Sequence, residues 1–83
     1  NEKKMKIKNW EKIGENHWEN IYIRGGIEVG LIRDQPYGSL YRAYFQEASE
    51  RGMISRRWTT QVNAIADVIH FMRKHQTSLK END

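Results

Sequence analysis

Cysteine is missing from the 83 residues, so neither a disulfide framework nor a thiolate-held zinc supports the fold. The stability of so short a chain must come from packing, from a partner chain, or from both. Proline occurs once, at Pro36. Apolar runs are short as well. None approaches the roughly 18 residues of a membrane span, and the N-terminus lacks the apolar stretch of a secretory leader, so a cytoplasmic location is expected. The chain opens on Asn1, with Met5 read as a candidate natural start.

Catalytic signatures are lacking too. There is no P-loop, no glycine-rich dinucleotide turn, no G-x-S-x-G and no His-Glu-x-x-His. The three histidines are the residues that titrate near neutrality. His70 follows Asp67 by three positions, a base-and-orienter spacing that an ordinary exposed helix pair explains equally well. His75 fits a helix end, His17 fits a turn, and the spacing of the three gives a metal site no support. No enzyme activity, cofactor or metal is expected.

What is present is charge, unevenly spread. Residues 1–12 carry a net +3, residues 13–50 a net −3 and residues 51–77 a net +4. Two basic ends flanking an acidic middle make a basic surface if the ends meet, and such surfaces attract phosphates or acidic proteins. One core fits the length: residues 13–77 form a single domain, 1–12 a basic arm or a lysine-protected edge strand, and 78–83 a disordered polar tail.

After a turn at Gly14-Glu15-Asn16, residues Trp18 to Arg24 alternate, which predicts a strand with Ile21 and Ile23 inward and Tyr22 and Arg24 outward. Gly25-Gly26 then reads as a two-residue hairpin turn leading into a strand from Ile27 to Arg33. A turn at Pro36 precedes a third strand, Ser39 to Gln46, with Tyr41, Ala43 and Phe45 inward and Leu40, Arg42 and Tyr44 outward. Glu47 to Gly52 reads as a loop or short helical turn before a brief fourth strand, Met53 to Trp58.

From Thr59 or Thr60 the period becomes helical, with a threonine cap and a helix running to about His75 or Gln76. Val62, Ala64, Ile65, Ala66, Val68, Ile69, Phe71 and Met72 cover about 220° of its circumference, more than one sheet requires. The excess assigns Ala64, Val68 and Phe71 to a dimer or partner interface. The N-terminal segment with Trp10 and Ile13, folded across the helix, explains the excess as well. The expected architecture is α+β, a three- or four-stranded antiparallel meander packed on one long C-terminal helix, assembled as a homodimer.

Tyrosine mixed with arginine on an open sheet face suits nucleic acid, because rings stack on bases while guanidinium groups meet phosphates. Cross-strand Tyr and Arg pairs also stabilise a sheet without any ligand. The element order resembles that of several small nucleic-acid-binding domains, the single-stranded-DNA-binding coactivator type and the arm-binding domains of tyrosine recombinases among them, a likeness of order and not of motif. The leading expectation is a non-catalytic DNA- or RNA-binding domain using Tyr22, Arg24, Arg42 and Tyr44 on the sheet with Arg56 and Arg57 at its edge. The alternative is a protein-interaction module, a small regulator, inhibitor or immunity-type protein, that docks through the sheet face or an exposed helix face.

Overall fold

The computed structural model describes residues 6–23, 25–34, 40–77 and 79. Arg24, the turn at Pro36 and most of the two chain ends lie outside the described residues. The described residues form five antiparallel strands, β1 (Glu11–Gly14), β2 (His17–Asn20), β3 (Ile27–Asp34), β4 (Leu40–Glu47) and β5 (Glu50–Met53), followed by one helix, α1 (Gln61–Lys74). The strands pair in chain order as a meander, and α1 packs across β3 and β4 on one face. This is the expected two-layer α+β arrangement with one strand more than expected.

Alternation sorts the sheet cleanly. Trp18, Ile27, Val29 and Ala43 are buried on the helix side, with Leu31 and Phe45 packed against them. Ala64, Val68 and Met72, one helical turn apart, are buried on the facing side of α1. Thr60 caps the helix, its hydroxyl accepting from the Asn63 amide at 3.4 Å, as the threonine signal predicts.

The C-terminal end of the helix is held by side chains from far away in sequence. Trp10 Nε1 donates to the His75 carbonyl at 2.9 Å, and Asn9 Nδ2 and Asn20 Nδ2 both donate to the Gln76 carbonyl, at 2.9 and 3.1 Å. These bonds occupy carbonyls that a helix end otherwise leaves without partners. They also explain why Ile7 and Trp10 are buried in the core although they stand in a lysine-rich segment. Ile13, by contrast, is exposed on the edge strand β1. Leu79, in the segment expected to be a free tail, packs against the core.

Two local expectations are corrected. The strand predicted to run to Arg24 ends at Asn20, and Asn20 pairs with Ile27, so six residues link β2 to β3 instead of two. The fully buried Asn20 turns the chain: its Oδ1 accepts from the Tyr22 amide at 2.9 Å, an Asx-type turn that competes with continued pairing. Ile21 and Tyr22 are therefore 61% and 69% exposed, while Ile23, at 1%, returns to the core. The Gly26 amide closes a second turn on the Ile23 carbonyl, with Gly25 and Gly26 at φ 85° and 120°. The glycines do supply positive φ, but in this longer loop.

The fourth expected strand is displaced as well. Glu47 and Glu50 pair across a two-residue turn at Ala48 and Ser49, and β5 begins inside the segment read as a loop. Gly52 makes this possible. A Cβ there would sit 2.5 and 2.6 Å from two atoms of the Phe45 ring, which lies over the glycine. Phe45 in turn stacks on Phe71 at 5.8 Å and 9°. Beyond β5 the chain stays beside β4, with Ile54 and Ser55 amides on the Ala43 carbonyl and a bridge between Tyr41 and Trp58.

Candidate nucleic-acid interface

The face of the sheet away from α1 holds two of the expected sheet residues. Arg42 and Tyr44 are there, but both are engaged. Arg42 Nε donates to the Ser55 carbonyl at 2.9 Å, and the Tyr44 ring reaches over Gly30 with the Arg51 guanidinium 4.5 Å from its centre. Tyr22 is in the β2–β3 loop and not on the sheet, and Arg24 lies outside the described residues. The same face carries Glu11, Glu19 and Glu28 across β1, β2 and β3, with His17 Nε2 at 2.9 Å from Glu28. Carboxylates in that number repel phosphates over half of the face.

Cations gather instead at the edge that follows β5. Arg56 and Arg57 are exposed in the segment between the Ala43 contacts and the Trp58 bridge. The Arg56 guanidinium stacks on the Trp58 ring at 3.7 Å, within cation–π range. Trp58 is also held at its ring edge, its Nε1 donating to Asp67 Oδ2 at 2.7 Å. That bond ties the edge segment to α1 and gives Asp67 a structural role.

Between this edge and α1 runs an open groove of about 410 Å³, lined by residues that include Arg56, Trp58, His70, Phe71 and Lys74. Its one lining carboxylate among the described residues is Asp67, already bonded to Trp58. The groove is thus basic on its rim and aromatic in its wall, and its volume suits a nucleotide-sized group. His70 and His75 line it, but His17 is on the opposite face of the sheet, so the three histidines are not brought together.

Trp58, His70 and Lys74 were not among the residues singled out for binding. The signal was present in the spacing: positions 67, 70, 71 and 74 share one flank of a helix, directly after an Arg-Arg-Trp run.

Of Ala64, Val68 and Phe71, expected at a dimer or partner surface, the first two are taken up inside the chain. Ala64 and Val68 have no exposed surface left once the chain's own sheet is packed against them. Phe71 is half-buried: it contacts Phe45, Trp10 at 6.4 Å and His75 at 4.3 Å, and lines the groove. Trp10 of the N-terminal segment and Phe45 of β4 fill the part of the apolar arc at Phe71. Val62, 73% exposed, and Ala66 are apolar helix positions that face solvent.

No protein-family model matches the chain, and neither a curated protein nor a solved structure matches it. No helix among the described residues is long and apolar enough to cross a membrane.

Proposed function

We propose that this chain is a non-catalytic nucleic-acid-binding domain that holds a sugar–phosphate backbone in the groove between the edge segment 54–58 and α1. The observation that carries the reading is the convergence of Arg56, His70 and Lys74 on one groove whose wall is Trp58 and whose single carboxylate among the described residues is bonded to that tryptophan. Arg56 and Lys74 neutralise phosphates, and Arg57 adds to the field at the same edge. The Arg56–Trp58 stack offers a planar surface on which an unpaired base can lie. Single-stranded nucleic acid fits this arrangement better than duplex, because the groove presents a ring and no projecting helix to enter a major groove.

Fluorescence anisotropy with labelled single-stranded DNA, single-stranded RNA and duplex DNA, each titrated at several salt concentrations, tests the reading. Binding to single strands should fall linearly with the logarithm of salt, with a slope set by two or three phosphates, roughly −1.5 to −2. Binding that ignores salt, or no binding at low salt, overturns it.

A further inference from the structure

The open face of the sheet is divided by charge along the strand order, and the pairing register makes the division a single row. Glu11 lies opposite Glu19, Glu19 opposite Glu28, Glu28 opposite Gln46, and Gln46 opposite Arg51. Residues directly opposite one another in an antiparallel sheet point to the same side, so these five side chains stand in line across the face. The contacts agree, with Arg51 Nε on Gln46 Oε1 at 3.0 Å and His17 on Glu28 at 2.9 Å. Three carboxylates on adjacent strands repel one another. Within the row Glu11 and Glu19 face only carboxylates, since Lys12, one position on, belongs to the other side with Trp18.

We infer that this face is the contact between two copies of the chain, related by a two-fold axis that runs along the strands between β3 and β4. Such an axis reverses the strand order and keeps the row. It sets Glu19 opposite the partner's Arg51 and Glu28 opposite the partner's Gln46, and each contact occurs twice. In the next row, Gly14, His17, Gly30, Tyr44 and Met53, the same operation sets His17 opposite the partner's Met53, and Gly30, covered by its own Tyr44 ring, opposite the partner's Tyr44. A second copy therefore brings a cation to Glu19, which faces only carboxylates within the row of its own chain. No other occupant is specified as closely by the residues present: an acidic partner is repelled by the glutamates, and a basic one by Arg42 and Arg51.

The contact leaves the groove beside α1 open and does not depend on nucleic-acid binding. A face of five strands is about 20 Å across and belongs with the smaller interfaces, so the assembly should exchange at micromolar concentration.

Sedimentation equilibrium of the chain alone, from about 1 to 500 µM, gives the test. The wild type should pass from monomer to dimer in that range. Glu19→Arg and Arg51→Glu should each weaken the dimer about tenfold or more, because each reversal creates two like-charge contacts. The double variant, which restores opposite charges in swapped places, should return to within about threefold of the wild type. Circular dichroism of each variant checks that the sheet is intact, as expected for substitutions on a solvent face. A wild type that stays monomeric overturns the proposal, as do single reversals without effect or a double reversal that recovers nothing. Arg56→Ala should leave the mass unchanged, which separates this result from any failure of the nucleic-acid reading.

Discussion

Replacing Asn20 with alanine probes the joint on which the two layers depend. The side chain is fully buried and makes two bonds, Oδ1 with the Tyr22 amide at 2.9 Å and Nδ2 with the Gln76 carbonyl at 3.1 Å. Each is worth about 1 kcal/mol net. The full penalty for stranded partners is avoided, because the Gln76 carbonyl keeps Asn9 Nδ2 and the Tyr22 amide sits in an exposed loop that water reaches. Adding a small cavity, the expected loss is about 2–3 kcal/mol. In a domain of this size that lowers Tm by roughly 10–20 °C. Urea unfolding followed by tryptophan fluorescence and by circular dichroism measures it. A cycle with Asn9→Ala should show coupling of at least about 0.5 kcal/mol, since both amides donate to one carbonyl. A loss below about 0.5 kcal/mol for Asn20→Ala, or strict additivity with Asn9→Ala, refutes the view that these side chains clamp the helix end.

Two further outcomes follow from the same packing. Trp10→Phe keeps the ring but loses the bond to the His75 carbonyl and should cost about 1 kcal/mol in urea unfolding, with the exchange of amides in the last helical turn accelerated more than elsewhere. Gly52→Ala forces the Phe45 ring off the glycine and out of its stack on Phe71, so about 1–3 kcal/mol should be lost. In a Phe45→Leu background the same glycine substitution should cost little, and an unchanged cost there refutes the steric explanation.

The elements with strong periodicity were legible in the sequence. The helix, with its threonine cap and basic last turn, is found where its 3.6-residue pattern places it, and Ile27 to Arg33 and Ser39 to Gln46 alternate as their strands require. What failed did so where a side chain outside the pattern took control. Ile21 and Ile23 share the spacing of a strand face, yet Asn20 bends the chain between them, and no alternation rule sees a buried asparagine bonding to a residue 56 positions away. Phe45 covering Gly52 similarly extends pairing into a stretch that composition reads as loop. The apolar arc of the helix is only partly filled: Phe71 meets Trp10 and Phe45, while Val62 and Ala66 are exposed. Ala64 and Val68 lie against the chain's own sheet and keep no exposed surface. Arg56 and Arg57 stood out in the sequence as a basic cluster. Their neighbours His70 and Lys74 did not, because only the Trp58–Asp67 bond shows which side of the helix meets the edge.

The central claim is that nucleic acid lies at the edge groove and not on the open sheet face. Salt-dependent anisotropy of a labelled single strand, measured for the wild type, Arg56→Ala and Arg42→Ala, tests it most directly. The account predicts that Arg56→Ala lowers the magnitude of the salt slope by about 0.7, one phosphate contact on a single strand, and weakens binding, while Arg42→Ala leaves the slope as it is. The reverse pattern, a slope reduced by Arg42→Ala and untouched by Arg56→Ala, contradicts it.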